Sequence, residues 1–268
     1  MPFALNDGTR IYWEEHGSGE PILLIMGLGY TLDMWHRTTP VLSRHYRTIL
    51  FDNRGVGRSD CPPGPYSIPA MAGDAAAVLN GAGCDRAHVF GVSMGGMIAQ
   101  EFAMAWPERV ISLILGCTAA GGPEALRAEP RVMSALNARA VLTPEEGIRA
   151  MIQYIYDDAT PQQRIEEDLE IRRRTYPKTT SYLAQIAGIV AFESYSRLPG
   201  LEVPTLVIHG QNDRLVPAGN GELIAGRIPG ARLVLLKNAS HIFITDQEQE
   251  AHKAIIDFLR EHDGTLER

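Results

Sequence analysis

A chain of 268 residues, 45% hydrophobic and 21% charged, has the size and composition of a globular protein with one large α/β domain carrying an insertion, or with two domains. A formal charge of −7 argues against nucleic acid or an anionic membrane as the main partner, because both require clustered positive charge. Apolar runs such as Pro21–Leu28 are far too short to span a bilayer, and Met1–Arg10 lacks a charged region followed by an apolar run, so neither a membrane span nor a signal peptide is expected.

Strand-like stretches at Phe3–Leu5 and Arg10–Glu15 flank Asn6-Asp7-Gly8, a tight-turn signal, and Gly17-Ser18-Gly19 ends the hairpin. Pro21–Met26 is continuously apolar, as a parallel strand buried on both faces must be. A short helix is expected over Met34–Leu42, a strand over Arg47–Phe51, a helix over Pro69–Gly81, a strand over His88–Gly91, a helix over Met94–Trp106 and a strand over Val110–Leu115. Such alternation is the pattern of a doubly wound α/β sheet. It stops between Ala119 and Pro199, where amphipathic helices are expected at Glu124–Arg139, Thr143–Asp157, Thr160–Arg174 and Thr179–Ser194. Thr143-Pro144 and Thr160-Pro161 read as helix starts, with a capping threonine and proline at the first helical position. Strands resume at Thr205–His209 and Arg232–Leu236, and Gln247–Arg260 closes the chain as a helix. The expected organisation is therefore a core of residues 1–120 and 200–268 with a helical cap of residues 121–199.

Chemistry enters at Gly91-Val92-Ser93-Met94-Gly95, a G-x-S-x-G motif between an expected strand and an expected helix. The sharp turn presents the Ser93 hydroxyl at a helix start, and the small flanking residues let other backbone approach. A serine hydroxyl needs a base, and the base needs a third group to fix its tautomer. Of eight histidines, His241 follows the last strand; Asp213, in His209-Gly210-Gln211-Asn212-Asp213, follows the strand before it. Ser93, Asp213 and His241 thus occupy three strand ends in the order Ser, Asp, His. The other histidines, His209 included, are read as structural or surface residues. Two backbone N–H groups should receive the oxyanion: Met94, next to the nucleophile, and Leu28 in the Gly27-Leu28-Gly29 turn, with Gly27 or Gly29 as alternatives.

With Ile25-Met26-Gly27-Leu28-Gly29, Met34-Trp35, Phe51-Asp52-Asn53-Arg54-Gly55-Val56-Gly57-Arg58-Ser59, Gly91–Gly96, His209–Asp213 and Ser240-His241, the chain resembles the α/β-hydrolase family over nearly its whole length. It is most similar to the branch of 3-oxoadipate enol-lactonases, small carboxylesterases and cofactor-free haloperoxidases. The resemblance implies an eight-stranded, mostly parallel sheet with helices on both faces and an inserted cap. Met26 and Ser240 depart from it, since many relatives carry His and Gly there. Asp52 and Arg54 fall in a motif whose role in the family is mainly structural.

The expected activity is hydrolysis of a small carboxylic ester or lactone through an acyl-enzyme. The same triad could serve a thioesterase, a C–C bond hydrolase or a perhydrolase, and a low-turnover ligand-binding receptor is the alternative from another class. No metal and no cofactor is required, and a monomer or homodimer in the cytoplasm is expected. Cys61, Cys84 and Cys117, odd in number and irregularly spaced, read as reduced thiols without zinc or redox chemistry. The aromatics Tyr154, Tyr156, Tyr176, Tyr182, Phe192 and Tyr195 are expected to pack the cap onto the core. Arg172-Arg173-Arg174 is expected to form a solvated helix face, and Met34, Met71, Met97 and Met104 to fill the core.

Overall fold

Asp7 and Gly8 both adopt positive φ, 46° and 77°, so the chain reverses in two residues. β1 (Phe3–Asn6) thereby pairs antiparallel with β2 (Thr9–His16). The computed structural model describes residues 2–264; the last four positions of the expected core segment lie outside them. β3 (Pro21–Ile25), β4 (Arg47–Phe51), β5 (Ala87–Val92), β6 (Val110–Gly116), β7 (Thr205–Gly210) and β8 (Arg232–Leu236) complete an eight-stranded sheet of order β1-β2-β4-β3-β5-β6-β7-β8. β2 meets β4 antiparallel, and every pairing from β4 to β8 is parallel.

The helices are α1 (Thr39–Leu42), α2 (Ile68–Gly81), α3 (Met94–Ala105), α4 (Pro130–Ala138), α5 (Pro144–Ile155), α6 (Gln162–Arg174), α7 (Thr179–Ala191), α8 (Gly219–Arg227), α9 (Phe243–Asp246) and α10 (Glu248–Arg260). The pleat sends alternate side chains of β3 to opposite faces. Leu23 and Ile25 join a core built with α2, α3 and α8, while Ile22 and Leu24 join Trp35, Leu42 and Phe258 on the other face. Helices on both faces are why these strands read as unbroken apolar runs. α4 to α7 all lie between β6 and β7, and α5 and α6 share a separate apolar cluster around Ile148, Met151, Ile155 and Leu169.

Several expectations need correction. The helix expected over 34–42 is instead a 3₁₀ turn at Leu32–Trp35 followed by α1. Pro40 has no N–H to donate to an earlier turn, so it fits only in the first turn of a new helix, and α1 starts there. α8 was not expected, because Gly219, Gly221 and Gly226 dilute its helical propensity; burial of Ile224 beneath the sheet overrides that. Thr143 caps α5 in a capping box with Glu146. Thr160 does not cap α6; its hydroxyl donates to Asp246 Oδ1 at 2.6 Å, and Pro161 takes the capping position. Arg172 is not solvated: it is 2% exposed, its guanidinium lies 5.0 Å from the Tyr30 ring centre, and none of its three nitrogens finds a hydrogen-bond partner among the described residues. Among the described residues no helix is long and apolar enough to cross a membrane.

Candidate active site

β5 ends at Val92, and Ser93 turns the chain into α3 with φ 56° and ψ −122°. Outside glycine such backbone is strained and persists only when its surroundings fix it. Here the Ser93 N–H donates to Gly116 O at 2.9 Å, and Ser93 O accepts from the Thr118 hydroxyl at 2.7 Å and from Gly96 N–H at 2.9 Å. Gly91 and Gly95 permit the turn: a Cβ on Gly91 would strike the Gly95 carbonyl, and one on Gly95 the Ile25 carbonyl.

His241 sits on the loop after β8 and Asp213 on the loop after β7. The two loops are tied together, since Asn212 N–H donates to Ala239 O at 2.8 Å, and the His241 loop is pinned to α9 by Ser240 N–H donating to Asp246 Oδ2 at 2.7 Å. The Ser240 hydroxyl, a departure from the family pattern, is satisfied by Asn212 O at 3.3 Å and Tyr154 O at 3.4 Å. Ser93, Asp213 and His241 meet at the carboxyl edge of the sheet. His241 Nδ1 lies 2.8 Å from Asp213 Oδ2, and Nε2 lies 3.1 Å from Ser93 Oγ. An ionised carboxylate only accepts, so Nδ1 carries the proton and Nε2 presents its lone pair to the serine hydroxyl.

Asp213 is buried, which alone would raise its pKa. The imidazoles of His241 and His209 outweigh burial and hold the carboxyl down to about 2. Its other oxygen accepts the N–H groups of Leu215 at 2.9 Å and Val216 at 2.8 Å. His209, for which the sequence suggests only a structural role, faces the same carboxylate. Its Nε2 lies 2.8 Å from Val216 O and 3.2 Å from Asp213 Oδ2, while its buried Nδ1 has no partner among the described residues. Both neighbours of Nε2 are acceptors, so Nε2 carries a proton, bonded to Val216 O and facing Asp213 Oδ2.

Leu28 and Met94 face the same space. Gly27 passes so close that a Cβ there would lie 3.1 Å from Ser93 Cβ. The Met94 N–H opens α3, where helix N–H groups lack intrahelical acceptors, and the Leu28 N–H has no acceptor among the described residues. The turn is held from both sides. Asn53 Nδ2 donates to Met26 O at 2.8 Å, and the Gly29 N–H donates to Gln185 Oε1 at 2.9 Å. Gln185, buried on α7, also donates to Arg54 O at 3.0 Å. Asp52 accepts from the N–H groups of Leu32 and Arg58, each at 2.9 Å, and Arg54 pairs with Asp74 through two 2.6 Å bonds.

Ser93 and His241 open into a cavity of about 220 Å³. Its walls are mostly apolar and rich in methionine: Met26, Met34, Met97, Met133 and Met151. Met34 and Met97, expected as core filler, are both buried and wall this cavity. Among the described residues no Asp or Glu lines it, and its cations are Arg37 and Arg139. Arg37 is paired with Glu167 at 2.6 Å. Arg139, 6% exposed, lies 4.7 Å from the Tyr182 ring centre and 5.6 Å from that of Tyr176, with no carboxylate in ion-pair range among the described residues. Gln185 and Arg139 carry no local motif, so sequence reasoning passes over them; His209 lies in the motif that carries Asp213, but nothing local marks its side chain for that carboxylate.

A family model described as the α/β hydrolase fold matches residues 20–146 and 163–247. A putative carbamate hydrolase RutD of Azorhizobium caulinodans is 33% identical over 274 residues, covering 98% of this chain and 100% of its own. Among solved structures, an enol-lactonase from Burkholderia xenovorans LB400 superposes with a TM-score of 0.86 at 27% identity, over 97% of this chain and 100% of that one. A thermophilic esterase from Thermogutta terrifontis does so with a TM-score of 0.83 at 30% identity, over 98% and 97%. By its sheet order, its strand-end site and these matches, the chain belongs to the α/β-hydrolase fold family.

Proposed function

We propose that the protein is a serine hydrolase of small carboxylic esters or lactones, with residues 121–199 acting as the cap over a core of residues 1–120 and 200–268. The observation that carries this reading is the relay Ser93–His241–Asp213, with contacts of 3.1 and 2.8 Å, opening into a mostly apolar cavity. His241 Nε2 takes the Ser93 proton as Oγ attacks the acyl carbon. The oxygen of the tetrahedral intermediate accepts the N–H groups of Leu28 and Met94, each worth roughly 3 kcal/mol. His241 returns the proton to the leaving alkoxide, and an ester of Ser93 remains. Water, deprotonated by the same imidazole, then hydrolyses that ester and restores the hydroxyl. Asp213 keeps the proton on Nδ1 and stabilises the imidazolium. The carbamate hydrolase, enol-lactonase and esterase named for the relatives all act on acyl carbons, which supports the same first step here.

The test needs no knowledge of the substrate. Wild-type protein incubated with a fluorophosphonate should gain one adduct by intact mass, and Ser93→Ala should gain none. Ester, lactone, thioester and carbamate panels then rank the leaving groups. A folded wild-type protein that takes no adduct would overturn the hydrolase reading.

A further inference from the structure

The edge of the sheet opposite Ser93 carries a cluster that acyl transfer does not use. His88 is the second residue of β5, five positions before Ser93, which at ~3.3 Å per residue separates the two by about 16 Å. Its side chain is fully buried. Nδ1 lies 2.7 Å from Ser112 Oγ. Nε2 makes no hydrogen bond among the described residues, yet it stands 3.5 Å from Glu20 Oε2 and 3.5 Å from Asp263 Oδ1. Glu20 immediately precedes β3, and Asp263 follows α10, so three distant stretches of chain converge on one point.

Two carboxylate oxygens facing an imidazole lone pair repel it unless something positive lies between them. A proton on Nε2 of the neutral imidazole, with Nδ1 accepting from the Ser112 hydroxyl, would ease that repulsion, but neither oxygen is placed to accept a hydrogen bond from it. A metal ion needs a different geometry. Ligands at zinc-like distances of about 2.1 Å in a tetrahedron stand about 3.4 Å from one another. The two 3.5 Å spacings match this, and all three ligand atoms lie within 4.8 Å of one another. The groups behind the ligands are also in place. Ser112 fixes the imidazole, and the Tyr46 hydroxyl lies 2.9 and 3.1 Å from the two Asp263 oxygens.

We propose that Glu20, His88 and Asp263 form a binding site for a divalent transition-metal ion of the zinc class, with solvent completing the tetrahedron. One imidazole with two carboxylates suits zinc better than calcium or magnesium, which require more oxygen ligands. The ion would tie the residues after α10 to the starts of β3 and β5. Its role is structural, since Ser93 lies at the other edge.

The test is calorimetric titration of Zn²⁺ into wild type, Glu20→Gln and Asp263→Asn, near pH 7.5 where the ligands are deprotonated, alongside thermal unfolding of each with and without Zn²⁺. Asp263 is exposed and Glu20 partly so, and both variants keep their size, so their apo forms should unfold as wild type does. Wild type should bind one equivalent and unfold at a higher temperature with Zn²⁺. Each variant should bind about tenfold more weakly or worse and lose that thermal gain. If wild type binds no equivalent, or if both variants bind as tightly as wild type, the site is refuted.

Discussion

At the scale of single residues, the least expected participant is His209. Its Nε2, bonded to Val216 O, stands 3.2 Å from the Asp213 oxygen that also receives His241, so it shares the negative charge that faces His241. His209→Phe keeps an aromatic ring in the buried space but removes this N–H. The freed Asp213 oxygen becomes more basic and holds a protonated His241 more tightly, so the acid limb of the kcat/KM profile should move to higher pH. A contact that orients the carboxylate is lost at the same time, so kcat should fall several-fold while KM stays near its wild-type value. Asp213→Asn is the harsher change. It leaves the geometry but favours the wrong imidazole tautomer, and kcat should drop about 10⁴-fold. Steady-state kinetics across pH on the best ester of the panel check both. A His209→Phe profile that superposes on wild type would return this residue to a purely structural role.

At the scale of elements, strands were legible and the links between elements were not. Runs such as Pro21–Ile25 and Val110–Leu115 announce buried parallel strands because both faces must be apolar. Ser93, Asp213 and His241 were legible because each follows such a run. Gln185 was not, since a glutamine in a helix carries no sign that it will reach across to the Gly29 N–H. Nor was Arg172, whose neighbours Arg173 and Arg174 suggested a wet face while the phase of α6 turned it inward. Gln185→Leu frees the turn bearing Leu28 and should lower kcat several-fold. Gln185→Glu keeps the acceptor and should recover part of the loss, a difference that single-turnover acylation can read. Asp246 makes a second link, accepting from the Ser240 N–H beside His241 and from Thr160 next to α6. Burial raises its carboxyl to about 6 against those bonds. The folded protein therefore keeps a proton that the unfolded chain loses near pH 4, and stability contributed by this group falls as pH rises from about 4 to 6. Asp213 has the opposite sign, with its contribution lost as pH falls from about 4 to 2. Asp246→Asn removes the first titration and leaves the second. The difference in melting temperature between wild type and variant should therefore change between pH 4 and 6 and be constant above; a constant difference throughout would contradict the assignment.

At the scale of the whole molecule, charge is distributed against the cavity. The chain carries a formal −7, yet among the described residues no acid lines the cavity beside Ser93, and Arg139 stands in its wall without a carboxylate partner. A buried guanidinium cannot shed its proton, and burying it unpaired costs several kcal/mol that tyrosine rings offset only in part. That cost is recovered if the substrate brings the missing anion. The prediction is a preference for esters or lactones bearing a second, free carboxylate, held by Arg139 while Ser93 attacks the acyl carbon. Arg139→Leu should raise KM for the half-ester of a dicarboxylic acid by about 10- to 100-fold, the range of a charge-assisted hydrogen bond. The matching neutral diester should be hydrolysed as by wild type. The variant should also unfold at the same or a higher temperature, because a desolvated charge has been replaced by an apolar side chain in an apolar wall. Since the site is buried, added salt should change the half-ester KM little, in contrast to an exposed surface cation. Equal losses on half-ester and diester would mean that Arg139 shapes the cavity wall and does not read charge. A loss confined to the half-ester would assign the carboxylate to this side chain, and with it the end of the cavity at which the substrate's free acid lies.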